Sequence, residues 1–181
     1  MREAMEAFWE HGYHGTSVSD LLSEMKLNRG SLYGTFGDKK KLFMAALTEY
    51  GKQGREIERQ VLEDAGSARE AIRQWIDHAA LMCTGDPGLK GCLGLKAAVE
   101  MAPHDKDVAD WVKTMTHERE LLLAKVIRRG QAAGEFTSDL EPRAAARYLI
   151  TAVAGLKLLG TASPSERDVR EVVALVLRIL D

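Results

Sequence analysis

Apolar positions in this chain recur every three to four residues. Val18, Leu21, Leu22 and Met25 fall at i, i+3, i+4 and i+7, the spacing of one helix face. Met1, Met5, Phe8 and Trp9 open the chain in the same way. Near the other end, Tyr148, Leu149, Ala152, Val153, Leu156 and Leu159 make one broad stripe, and Val169, Val172, Val173, Val176, Leu177 and Leu180 make another. No alternation of period two and no hairpin signal interrupts the pattern. It predicts an all-α fold of about nine helices.

Polar punctuation places the helix starts. Ser17 and Asp20 form an S-x-x-D capping pair, and Asn28 is a favourable cap for the next element. Ser67–Glu70, Ser138–Glu141 and Ser163–Glu166 read as further capping boxes, with Pro164 at a first helical position. Breaks fall near Gly66, Gly85–Lys90, Pro103–Asp105, Gly134–Ser138 and Thr161–Ser163.

Residues 16–39 predict two short helices joined by a tight turn at Lys26-Leu27. On the second helix Leu32 and Phe36 share an inward face, leaving Arg29, Ser31, Tyr33 and Thr35 outside. Gly30 is a poor helix former, which suits a place where the backbone must approach another surface closely. Arginine can bond guanine in bidentate fashion, and hydroxyl groups can hold phosphates. Lys39 stands at the start of the next helix, a place suited to a phosphate, whereas Lys40 and Lys41 read as solvated surface. This is the layout of a helix-turn-helix DNA reader. The predicted division is a helix-turn-helix DNA-binding domain over residues 1–45, its head made of three helices. A larger helical effector-binding and dimerisation body fills 46–181.

Phe8, Gly12, Thr16, Ser17, Leu21, Leu27, Gly30, Ser31, Leu32, Tyr33, Phe36, Lys39 and Leu42 make residues 12–50 resemble the DNA-binding head of the TetR family of transcriptional regulators. The run Gly-Ser-Leu-Tyr-x-x-Phe-x-x-Lys carries most of that resemblance. It implies that Ser17 and Ser19 meet backbone phosphates, and that Asn28, Arg29 and Gly30 form the tip nearest the bases. Ser31, Tyr33 and Lys39 would hold phosphates, and Thr35 stands where another polar residue is usual. It also implies a basic arm before the first helix, but Met1-Arg2-Glu3-Ala4-Met5 already lies in a helical pattern. Dimerisation through the C-terminal helix pair is a further implication, involving Tyr148, Leu149, Ala152, Val153, Leu156, Val169, Val172, Val173, Val176 and Leu180. The apolar stripes themselves suit either internal core or pairing with a second copy. A homodimer would read a palindromic double-stranded operator.

Charge sharpens this picture. The 181-residue chain has 25 Lys/Arg against 27 Asp/Glu, a net charge of −2, so it is not a generic polyanion binder. Between residues 26 and 41 there are five basic residues and one acidic, a local excess of +4. If the middle helices form an effector pocket, Trp75, His78, Met82, Cys92, Leu93, Ala97, Glu100, Met101, Trp111 and Met115 are its candidates. Arg119 lies on the Val112–Met115–Leu122 line and joins His78 and Glu100 as a polar group able to orient a ligand.

Other chemistry finds little support. Cys83 and Cys92 make no disulfide framework, and with His78 and His104 they show no metal-ligand spacing. The glycines between Gly88 and Gly94 follow no strand and lack the G-K-[ST] of a phosphate loop. No enzyme, metal or cofactor is therefore predicted. Without a leader-like start or an apolar run long enough to span a bilayer, a cytoplasmic protein with no membrane partner is expected. The function expected is a repressor released from its operator by a small molecule. Two alternatives are a thiol sensor acting through Cys92, at a helix start where thiolates are favoured, and a helical interaction module with a degenerate head.

Overall fold

The structure, a computed structural model, describes residues 1–81, 90–162 and 165–181. Among them run nine α-helices: α1 (Arg2–Gly15), α2 (Val18–Glu24), α3 (Arg29–Phe36), α4 (Lys39–Asp64), α5 (Ala68–Leu81), α6 (Leu93–Glu100), α7 (Lys106–Ala132), α8 (Pro142–Gly160) and α9 (Glu166–Leu177). A 3-10 turn, Arg178–Leu180, closes the chain, and no strand occurs among the described residues. No helix among them is long and apolar enough to cross a membrane.

The chain forms two compact units. The first joins Met1–Gly54 to Cys92–Val112. Its core brings Phe8 of α1, Leu21 of α2, Leu32 of α3 and Leu42, Phe43 and Leu47 of α4 together with Leu93, Ala97 and Met101. The segment that carries α6, placed in the body by the sequence pattern, thus buries its apolar face in the core of the first unit. The reason is the Leu93–Ala97–Met101 stripe, which is apolar at four-residue spacing and pairs with the α1 stripe 85 or more positions away (93 − 8 = 85).

The second unit joins Arg55–Gly91 to Lys113–Asp181. Ala68, Ala71, Ile72, Trp75, Ile76 and Ala79 give α5 one continuous buried face. It packs in a core with Leu123 and Ile127 of α7, Leu149 and Val153 of α8, and Val169, Val173 and Val176 of α9. Gly130 permits a close approach. A Cβ there would lie 2.2 Å from the Phe136 ring and 2.9 Å from the Ala68 methyl.

The caps show how local signals compete. Ser17 and Asp20 form the full reciprocal box at α2, and Asn28 caps α3 through the amide of Ser31 at 2.8 Å. At α5 the Ser67 hydroxyl accepts from the Glu70 amide, but Glu70 turns to Arg73, and the carboxylate of Glu135 takes the amides of Ala68 and Arg69. At α8 the predicted Ser138 box gives way to Glu141, which accepts from Arg143 and Ala144, with Pro142 at the first helical position. At α9 the predicted Ser163–Glu166 box is replaced by a reciprocal box of Ser165 and Asp168, so the helix begins at Glu166. Ser163 and Pro164 themselves lie outside the described residues. In both corrections a second capping group nearer the apolar stripe wins.

Candidate nucleic-acid interface

Helices α2 and α3 expose one polar surface. Ser17, Ser19, Asn28, Arg29, Gly30, Ser31, Tyr33 and Thr35 are all solvent-exposed, while Leu21 and Leu32 are fully buried beneath them. The turn between the helices is made by Lys26 in the left-handed region, at φ 52°. A Cβ at Gly30 would meet only the Asn28 side-chain oxygen, at 3.3 Å, so packing within the chain does not demand glycine there. Its lack of a side chain instead leaves the outer face of α3 open at its first turn.

The end of α3 is shaped for a sharp entry into α4. Gly37 caps α3 at φ 84°, and the Asp38 carboxylate accepts from the amide of Lys41 in the first turn of α4. Lys39 is held with its ammonium 4.3 Å above the centre of the Tyr13 ring. Burial holds this ammonium below the ordinary lysine value, and burial likewise pushes the Tyr13 phenol up. Lys39 is therefore a pre-positioned charge at a helix start, next to α2 and α3.

Lys40, predicted as solvated surface, is instead an internal tie. Its ammonium lies 2.8 Å from Asp105 and 2.7 Å from Asp107, at the start of α7. The hydrogen bond to Asp105, then that to Asp107, raises Lys40 above the ordinary lysine value, and the same bond lowers Asp105. The partners stand some 65 residues away (105 − 40 = 65), beyond the reach of any local pattern. Lys41 remains exposed.

The effector candidates are divided between the two units. In the first, Leu93, Ala97 and Met101 are buried core, and Trp111 packs against the same cluster. Glu100 is engaged by the amides of Tyr13 and His14. Cys92 caps α6 by position and accepts a hydrogen bond from the Tyr50 hydroxyl at 3.4 Å. In the second unit, Trp75 and Met115 are buried, and His78 is exposed because it falls on the outer side of the α5 stripe. Met82 lies outside the described residues, as does Cys83. Arg119 is gripped by Glu58 with Nε 2.9 and 3.0 Å from its two oxygens, and Arg55 reaches both Met115 and Glu118. These polar groups on α4 and α7 were not singled out in full by the sequence, since α4 shows no special motif there.

The dimer-face candidates also divide. Leu149, Val153, Leu156, Val169, Val173, Val176 and Leu180 are buried in the second unit's own core. Apolar periodicity alone does not distinguish the two environments. Tyr148 and Val172 are exposed and Ala152 partly so, and the exposed Leu158, Leu159 and Leu175 extend the outward apolar surface of α8 and α9.

Residues 1–46 match the family described as bacterial regulatory proteins, tetR family, and residues 68–174 match the tetracyclin repressor-like C-terminal domain. The uncharacterized HTH-type transcriptional regulator YezE of Bacillus subtilis (strain 168) is 32% identical over 184 residues, spanning 100% of this chain and 94% of that protein. The HTH-type transcriptional repressor ComR of Escherichia coli (strain K12) is 25% identical, over 98% of this chain and 85% of its own length. Among solved structures, a cysteine mutant of the TetR family regulator CifR, complexed with 26-bp double-strand operator DNA, superposes with a TM-score of 0.87. It is 31% identical, and the match covers 99% of this chain and 93% of that one.

Proposed function

Because this chain belongs to the TetR family and is a DNA-binding transcriptional regulator rather than an enzyme, we propose that it acts as a dimeric repressor that a small molecule releases from a palindromic operator. The observation that carries this reading is the exposed polar surface of α2 and α3, with Lys39 fixed beside it. Arg29, Asn28 and Gly30 read bases, and Ser17, Ser19, Ser31, Tyr33, Thr35 and Lys39 hold phosphates. Repression is supported by the names of relatives such as ComR, and operator binding by the CifR complex. Two copies would pair through the outward apolar residues of α8 and α9, namely Tyr148, Leu158, Leu159, Val172 and Leu175. The effector would bind in the body near Trp75 and Met115, with the Glu58–Arg119 and Arg55–Glu118 pairs supplying polar contacts. Release is a population shift, in which the effector favours one form and DNA the other.

Selection of bound duplexes from a random pool by the purified protein tests this reading. A twofold-symmetric motif is the expected result. An asymmetric motif would remove the dimer, and no enrichment at low salt would remove the operator reading. One observation favours a second reading: Cys92 stands at the start of α6 with the Tyr50 hydroxyl on its sulfur. In a thiol-responsive regulator, alkylation would release the selected duplex from the protein but not from Cys92→Ser. Equal release from both would exclude Cys92 as the sensor.

A further inference from the structure

Helix α1 is broken at Gly12, whose φ of 74° and ψ of −179° lie in a region open to glycine almost alone. In an unbroken helix the amides of Tyr13 and His14 would donate to the carbonyls of Trp9 and Glu10, four residues back. Here both amides donate to the carboxylate of Glu100, at 2.9 and 2.7 Å. The two carbonyls are met by the ammonium of Lys96, at 2.6 and 3.2 Å. Lys96 and Glu100 stand four residues apart on α6, so that helix presents a cation and an anion one turn apart.

The numbers match on both sides. Breaking two helical hydrogen bonds leaves two donors and two acceptors, and this one charged pair serves all four. The fit is close, since a Cβ on Gly12 would lie 2.7 Å from Glu100 Oε2. Downstream of the break, the buried Thr16 hydroxyl donates to the carbonyls of Ala7 and Gly12, and Ser17 caps α2. The direction in which the chain leaves Gly12 therefore sets the direction in which α2 begins.

We infer that Lys96 and Glu100 are positioning residues that hold α1 in a bent, DNA-reading form, and that α1 straightens when α6 withdraws from it. Withdrawal takes from the four backbone groups the partners that Lys96 and Glu100 supply, and re-forming the two helical bonds replaces them. Both forms satisfy the backbone, so the bend is a two-state element. The bent form is the reading one in this scheme because it aims α2, whose capping residue Ser17 follows the break. This step rests on the proposed DNA-facing role of Ser17 and Arg29.

A sign reversal in the full-length protein tests the inference. Gly12→Ala lowers the melting temperature of the otherwise unaltered chain, because alanine cannot follow the bend. In a Lys96→Met, Glu100→Gln background the same change raises it, because alanine favours the straight helix over glycine. Gly12→Ala, and the Lys96→Met, Glu100→Gln double variant, each weaken binding of the pool-selected duplex by about tenfold or more. Lys96→Arg, which keeps the donors, retains binding. Should the double variant not fold, Glu100→Met alone, which removes both acceptor oxygens, gives the same contrast. An equal loss of melting temperature from Gly12→Ala in both backgrounds overturns the inference, as does unchanged duplex binding by the double variant. If the pool yields no duplex, the DNA reading fails, and the sign reversal still decides whether the pair holds the bend.

Discussion

In the unit that carries the reading helices, five aromatic rings meet at set angles. Phe8 meets Phe43 edge-on at 5.0 Å, Trp9 meets Tyr50 edge-on at 5.2 Å, and Tyr13 lies 5.0 Å from Phe43 with Lys39 above it. The core of the other unit is aliphatic apart from Trp75 and Phe136, built from alanine, leucine, isoleucine and valine on α5, α7, α8 and α9. Edge-to-face rings, cation–π contacts and capped amides are directional, so they fix an orientation as well as a density. Aliphatic burial is nearly non-directional and tolerates repacking. Directional contacts thus orient the elements of the first unit, whereas the aliphatic core of the second leaves more room to adjust.

The largest expected effect probes that contrast directly. Phe8→Ala removes the ring at the centre of the first core and is expected to cost about 3–5 kcal/mol, against about 0.5–1.5 for Ile127→Val in the second. Urea unfolding of each variant measures both losses, and comparable values would mean that the aromatic core is no more demanding than the aliphatic one. Arg29→Ala separates what the reading unit holds from what it offers. Stability should stay within about 0.5 kcal/mol, while binding of the selected duplex falls by about 1–3 kcal/mol with relaxed preference at one base. A uniform loss over all sequences would demote Arg29 to a phosphate contact. Gly130→Ala asks whether the adjustable unit has a rigid spot. Crowding against Phe136 should cost about 1–3 kcal/mol, enough to outweigh the roughly 1 kcal/mol that alanine gains in a helix. Thermal unfolding that rises in this variant would show the ring moving aside freely.

The smallest effect concerns Glu120, the buried acid of the second unit, which accepts from Arg143 at 2.6 Å and Arg147 at 2.9 Å. The Arg143 hydrogen bond, against some desolvation, holds its carboxyl below the ordinary value of 4.5. The unfolded chain therefore takes up the proton first as pH falls. The pair's stabilisation is complete above about pH 5.5 and declines as pH falls through 4.5 toward the lowered value. Glu120→Gln should flatten the acid limb of a stability–pH curve, and an unchanged limb would assign that limb to other carboxylates.

What could be read from the sequence was whatever depended on neighbours in the chain. Ser17, Asp20 and Asn28 act on amides three residues away, and all three caps are where the pattern puts them. Leu21 and Leu32 are buried, and the polar residues of α2 and α3 are exposed, because helical periodicity alone decides inside from outside. What could not be read depends on distant partners. Glu100 looked like a ligand-orienting acid, but the amides that engage it are some 86 residues away. Lys40 looked solvated, but its acids lie at the start of α7. The apolar stripes of α8 and α9 were legible as stripes, whereas which of their residues face a core and which face outward depends on how α5 packs against them.

The Lys40 tie also bears on how this protein would respond to dissolved ions. A lysine contributes to DNA affinity by displacing a cation condensed on a phosphate, and each such displacement steepens the fall of binding with salt. Lys40, held between Asp105 and Asp107, already has its counterions built into the fold. The run Lys39-Lys40-Lys41 therefore carries less uncompensated charge than its sequence suggests, and the excess of +4 over residues 26–41 leaves out the two acids that Lys40 meets.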